Sequence, residues 1–201
     1  MLNLYLLRHG KTQGKAALNG HTDVAVDESI QANIADLLPK KYSFSKVYTS
    51  PLQRCSRVAE LLTASNSALR LVIEPRIMEL NFGMFDGIPF DELESEWQAL
   101  ENFWAAPDLH PLPSSEPLEH GYDRVIEAWE QIVQQCEQDT LVITHGGPIR
   151  YILAYVLGID WKNPQLYTTL NIGNQSLTHI QISKYEQRIF ATVKSVAVPL
   201  E

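Results

Sequence analysis

Residues 139–158, "DTLVITHGGPIRYILAYVLG", decide how this chain is built. Residues 140–144 are without exception apolar or β-branched, the pattern of a strand covered on both faces. After the turn His145-Gly146-Gly147-Pro148, the side chains Ile149, Ile152, Leu153, Val156 and Leu157 fall on one helical face. A strand that needs cover on both sides and passes straight into an amphipathic helix is half of a βα unit. The rest of the chain should repeat it.

It does so in both directions. Residues 3–7 read as a short buried strand ending at Gly10. Residues 28–38 carry Ile30, Ile34, Leu37 and Leu38 at helical spacing, and Pro39 is expected to stop that helix. "SKVYTS", residues 45–50, is a second strand, and Ser50 reads as the N-cap of a helix with Pro51 at its first position, running through Val58, Leu61 and Leu62. "LRLVIEP", residues 69–75, is a third strand. Residues 90–104 predict an acidic amphipathic helix, 110–117 a proline-rich loop and 118–136 a further helix. The tail alternates as antiparallel strands do, "SLTHIQI" at 176–182 and "RIFATVKSV" at 188–196. The predicted architecture is a three-layer α/β/α sandwich with a mostly parallel central sheet and an antiparallel edge. With 201 residues, 45% of them hydrophobic, one domain over 1–201 is expected.

A formal charge of −8 argues against a broad nucleic-acid surface, which needs clustered lysine and arginine to displace counterions from phosphates. Cys55 and Cys136 have no CxxC partner, so neither a disulfide framework nor a zinc knuckle is implied, and reduced thiols in the cytoplasm are expected. The opening "MLNLYLL" lacks a positive n-region and makes a poor signal peptide, and no segment approaches the roughly 20 apolar residues of a membrane helix. Neither a nucleic-acid nor a membrane partner is expected; oligomeric state is left open.

"LYLLRHGKTQGKA", residues 4–16, can be read as a strand feeding a nucleotide phosphate loop or as a strand presenting His9 beside Arg8. The first reading fails: Gly10 and Gly14 enclose only three residues, and Lys15 is followed by Ala16 where a magnesium-binding hydroxyl is required. A cysteine-dependent phosphatase needs arginine six places after its cysteine, and those places hold Leu61 and Val142. The histidines show neither HxH nor HExxH spacing. Taken singly, a histidine at a strand end is most simply a structural hydrogen-bonding group, and a lone arginine a solvated one. Yet His9 and His145 both close a strand, and ligands of open α/β sheets collect beyond those carboxyl ends. Arg54 begins near the same edge, and the helix opened by Gly146 offers free amides to an oxyanion. The joint placement points to a shared anion pocket.

"LLRHGKT", "YTSPLQRCSRVAELL", "IMELNFGMFDG" and "TLVITHGGPIRYIL", in this order, resemble the histidine phosphatase superfamily, the phosphoglycerate-mutase-like branch. The resemblance implies that His9 is the phosphorylated nucleophile, that Arg8, Arg54 and His145 complete the phosphate pocket, and that Glu79 is the proton donor; the Gly146 amide, at the helix start, is a further candidate substrate contact. The resemblance also implies a small phosphorylated metabolite as substrate and neither metal nor organic cofactor. Read from composition alone, Glu79 is only an exposed loop residue. Two arginines suit a phosphate dianion, because one unit-charge pair at ~4 Å and an effective dielectric of ~20 is worth about 4 kcal/mol. The same field disfavours an imidazolium at His9.

Departures are visible. Relatives read RHGET or RHGES with asparagine seven places after the arginine; here Lys11 and Lys15 occupy those positions, and Lys15 is a candidate phosphate contact. Glu116 is kept without its usual neighbouring glycine and serine. The family's mutases carry RHYG where this chain has "NFGMFDG", which favours hydrolysis, and the pattern is most like alpha-ribazole phosphatases of cobalamin biosynthesis. Broad or sugar-phosphate phosphatases and mutases are the enzymatic alternatives; an inactive phospho-ligand-binding module is the non-enzymatic one.

Overall fold

The computed structural model describes residues 1–186 and 188–200. Six strands form one mixed sheet: β1 (Leu2–Arg8), β2 (Lys46–Thr49), β3 (Arg70–Ile73), β4 (Thr140–Thr144), β5 (Ser176–Tyr185) and β6 (Arg188–Pro199), in the order β3-β2-β4-β1-β5-β6. β1, β2, β3 and β4 pair in parallel, whereas β5 and β6 join antiparallel beside β1. The helices are α1 (Glu28–Lys41), α2 (Gln53–Ser65), α3 (Trp97–Ala105), α4 (Leu118–Gln135), α5 (Gly146–Leu157) and a short α6 (Gln165–Thr168).

Period-two alternation explains the layers. Leu4 and Leu6 of β1, with Val142 of β4, turn to one face and pack with Val125 and Trp129 of α4 and Ile152 of α5. Tyr5 and Leu7, with Leu141 and Ile143, turn to the other and pack with Ile34 and Leu38 of α1 and Val58 and Leu62 of α2. The expected α/β/α sandwich is what the chain adopts. Leu4, Leu6 and Leu7 are wholly buried, and burial of one such side chain is worth about 2 kcal/mol against about 1 kcal/mol for an average hydrogen bond. The strand that ends at Arg8 is therefore anchored by its core before any polar contact is counted.

Three local expectations need correction. The first helix runs past Pro39 to Lys41, with Tyr42 N–H closing onto Leu38 O. In the last turn a proline forfeits a single ladder bond, which the flanking packing outweighs. Residues 90–104 are not one helix: 3₁₀ turns occupy Phe90–Glu92 and Glu94–Glu96 before α3 starts at Trp97. The Phe90 amide is drawn away to Ala16 O, and its ring meets those of Trp97 and Trp104, so the first half of the segment follows a loop across the sheet edge. Nor does Ser50 cap α2, which begins at Gln53 with its amide on the Asp23 carboxylate. The Ser50 hydroxyl has another partner.

Candidate active site

The β1–β4 register sets the site. Arg8 lies opposite Thr144 on adjacent parallel strands, so the following residues, His9 and His145, leave the sheet at one level. The His9 amide bonds to Thr144 O at 3.2 Å, and the ring centroids stand 5.1 Å apart at 62°. Both rings are buried.

Each ring is held in one tautomer. His9 Nδ1 lies 2.7 Å from Gly10 O; a carbonyl only accepts, so Nδ1 carries the hydrogen and Nε2 keeps its lone pair. Asn174 Nδ2 donates to both the His9 and Gly10 carbonyls at 3.3 Å, which fixes the turn. Gly10 is required there, because a Cβ would sit 2.8 Å from both Ile30 and Val26 methyls. On His145 the reverse holds: Nδ1 accepts from Arg54 Nε at 3.2 Å, and Nε2 donates to Ser50 Oγ at 2.8 Å. Burial first, then the Arg54 and Arg8 charges, push His9 down to about 3 against the opposing bond to Gly10. Burial, the His9 neighbour and the same arginines hold His145 well below the ordinary histidine range. Two neutral imidazoles thus face each other among cations.

Among the described residues those cations have no carboxylate within ion-pair distance, the Glu79 charge acting on Arg8 and Arg150 from farther off. Arg54 is completely buried, its guanidinium donating to the carbonyls of Asn19, Gly20 and Thr22 as well as to His145. Arg8 donates from Nη1 to Ile172 O, while its buried Nε has no acceptor among the described residues. Arg150, on α5, gives Nε and Nη2 to Leu170 O. Among the described residues none of the three enters an ion pair. A buried cation without a counter-charge is costly, and an anion brought to it recovers that cost.

A Cβ built on Gly146 would lie 2.9 Å from Arg150 Nη1 and 3.6 Å from Arg8 Nε, so Gly146 marks the gap between the two guanidiniums, at the amide-bearing start of α5. Glu79 reaches the same helix end, its carboxylate accepting the Gly147 amide at 3.1 Å. Beside it opens a cleft of about 180 Å³ whose lining includes Glu79 and Arg150 together with Phe82, Phe103, Trp104 and Tyr167. Cys55 is packed against the His145 ring, Sγ 3.6 Å from Nε2, and burial pushes its thiol up, as befits a core residue.

Of the residues singled out in the sequence, His9, His145, Arg8, Arg54, Glu79 and Gly146 come together. Lys15 is engaged elsewhere: its ammonium stands on an exposed loop, 2.7 Å from Asp91. Ser50, Arg150 and Asn174 were missed. Arg150 was within reach of pattern reading, since it lies four residues after Gly146 on the helix whose start was already assigned to an oxyanion. Ser50 was not, because its partner is 95 residues away in the chain. Among the described residues no three His, Cys, Asp or Glu side chains cluster as metal ligands do.

The family described as the histidine phosphatase superfamily (branch 1) matches residues 4–193. A protein of Hydrogenobacter thermophilus, provisionally named phosphoserine phosphatase 2, is 29% identical over 190 residues, covering 90% of each chain. Among solved structures, Bacillus stearothermophilus YhfR superposes with a TM-score of 0.84 at 23% identity over the whole of both chains. The alpha-ribazole phosphatase from Shigella flexneri does so with 0.76 at 25% identity, again over the whole of both.

Proposed function

The chain belongs to the histidine phosphatase superfamily and is a phosphatase of it, and we propose that it hydrolyses phosphomonoesters through a phosphohistidine on His9. The observation that carries this reading is the neutral His9 ring, lone pair on Nε2, set among guanidiniums that form no ion pair among the described residues. A neutral nucleophile approaches a phosphate dianion without charge repulsion; Arg8, its Nε without an acceptor among the described residues, offers charge and a donor fork, and Arg54, with four of its five N–H bonds engaged, adds charge and one remaining Nη1 hydrogen. His9 Nε2 forms the N–P bond as the ester P–O bond breaks, and the Glu79 carboxyl gives its proton to the leaving oxygen. Water then attacks phosphorus, loses its proton to Glu79, and the N–P bond breaks to return neutral His9. The proton on Nδ1 stays with Gly10 O throughout. The start of α5, with Gly146, stabilises the equatorial oxygens during both transfers, while His145, both of its ring nitrogens engaged, lines the pocket beside His9.

The substrate is a small phosphorylated metabolite. We favour alpha-ribazole 5′-phosphate, which would place the enzyme in cobalamin biosynthesis. Support comes from the Shigella flexneri likeness and from the aromatic cleft beside Glu79, which suits a flat leaving group. A second reading, a leaving group that carries a carboxylate, such as the serine of phosphoserine, is favoured by Arg150 in the lining of that cleft. We take residues 1–201 as one phosphatase domain working in the cytoplasm, in keeping with two buried free thiols; no described helix is long and apolar enough to cross a membrane. The test is turnover of p-nitrophenyl phosphate with trapping of a phosphoenzyme, followed by a screen of phosphorylated metabolites. No turnover by the wild type between pH 5 and 8 would favour a binding module instead.

A further inference from the structure

Glu79 sits on a stretch, residues 78–82, that belongs to no helix or strand, yet its carboxylate must meet a leaving oxygen within a few tenths of an ångström. What holds it is a side chain of α4. Arg124 uses all five of its N–H bonds: Nε and Nη2 donate to the Glu116 carboxylate at 2.6 and 2.8 Å, Nη1 to the carbonyls of Arg76 and Met78 at 2.7 and 2.8 Å, and Nη2 to Glu79 O at 2.9 Å. Glu116 in turn is tied to the same stretch, its amide donating to Asn81 O at 2.9 Å and its carboxylate accepting the Asn81 amide at 3.3 Å. From the other side His21 Nε2 donates to Glu79 O at 3.1 Å, and Thr144, directly before His145, donates its hydroxyl to Ile77 O at 2.7 Å.

We propose that Arg124, gripped by Glu116, is a positioning residue that fixes the Glu79 carboxylate against the leaving group. It touches neither phosphate nor leaving oxygen; it acts by setting the backbone from which Glu79 projects. A lysine could supply the charge but not five donors in one plane, so the planar fork is what the site uses. The inference rests on reading Glu79 as the proton donor, and the experiment separates the two.

The purified protein and its Glu79→Gln, Arg124→Met and Glu116→Gln variants are assayed with an alkyl phosphate, whose leaving oxygen needs a proton, and with 2,4-dinitrophenyl phosphate, whose leaving group does not. General acid catalysis is worth about 10²–10⁴-fold. Arg124→Met is expected to lower kcat on the alkyl ester by about 10²-fold, and on the dinitrophenyl ester by no more than about 3-fold. Glu116→Gln should shift in the same direction by less, and Arg124→Lys should not restore the alkyl rate. If Glu79→Gln shows the selective loss while Arg124→Met and Glu116→Gln lose both esters equally, or neither, Arg124 serves only the fold and the proposal falls. If Glu79→Gln itself loses both esters equally, the proton-donor assignment falls and takes the proposal with it. Should Arg124→Met fail to give soluble protein, Glu116→Gln, which keeps the shape of the pair, decides the matter alone.

Discussion

Ser50→Ala tests the architecture of the site most sharply, because it removes one atom that nothing in the chemistry touches. Ser50 Oγ accepts the hydrogen of His145 Nε2 at 2.8 Å, and both residues are fully buried. Without it, an N–H is left in the core, a loss worth about 1–3 kcal/mol. Cys55 Sγ, 3.6 Å from the same nitrogen, is a poor replacement acceptor and places the figure toward the lower end. The ring cannot escape by moving its proton to Nδ1, since Arg54 Nε already points a hydrogen at that nitrogen from 3.2 Å. The variant should therefore lose about 1–2 kcal/mol in urea unfolding with an unchanged m value. kcat/KM should fall by about tenfold, the equivalent of 1.4 kcal/mol of transition-state stabilisation. Nitrogen-15 spectra of labelled histidine supply the direct readout. In the wild type His145 is protonated at Nε2 and His9 at Nδ1, and the substitution should broaden or shift the His145 pair alone. Stability unchanged to within about 0.3 kcal/mol, together with unaltered His145 shifts, would refute the reasoning.

Other outcomes follow from the same geometry. His9 is depressed to about 3 in the fold and returns to about 6.5 when unfolded, so its stabilising contribution is whole above pH 6.5 and is lost as pH falls toward 3. Each such histidine gives a slope of about 1.4 kcal/mol per pH unit below pH 6; urea melts at pH 7, 6 and 5 should show the decline, and His9→Gln should flatten it. His9→Ala should abolish phosphoenzyme formation, read by acid-quench trapping of labelled phosphate. Gly147→Ala puts a methyl 2.2 Å from Glu79 Oε1 and must displace that carboxylate, whereas the Gly146→Ala methyl would lie 2.9 Å from Arg150 Nη1 and 3.6 Å from Arg8 Nε, in the gap between the guanidiniums. The first should cut the alkyl-phosphate rate at least about tenfold more than the 2,4-dinitrophenyl phosphate rate, and the second should cut both alike; equal losses on the two esters for Gly147→Ala would count against Glu79 at this position. Arg8→Lys should raise the inhibition constant for inorganic phosphate by about tenfold or more through loss of the fork that includes the Nε without an acceptor among the described residues.

Most of the framework was legible because it depends on local periodicity. The run at 140–144 and the one-sided helix after it, the alternating tail, and the two histidines closing parallel strands can all be read without knowing where the chain goes. What could not be read is set by partners far away in sequence. Ser50 looks like a helix cap until the β2–β4 pairing carries it beneath His145. Glu79 looks like a solvated loop acid, and only the family pattern drew attention to it, because the donors that hold its backbone come from His21 and Arg124. Residues 90–104 carry enough acids and apolar positions for a helix, but the pull of the Phe90 amide on Ala16 O and of its ring on two tryptophans overrides that propensity. Lys15 shows the converse, a residue whose sequence position suggested phosphate and whose nearest charge is Asp91.

The pairing of Arg8 with Thr144 has an implication for how preparations of this protein should be judged. Sliding β4 by one residue along β1 would leave helix and sheet content untouched and carry the second imidazole to the opposite side of the sheet. Circular dichroism would pass such a molecule as native. Turnover would not, so for refolded material specific activity is the measure of how many molecules have their two central strands in step.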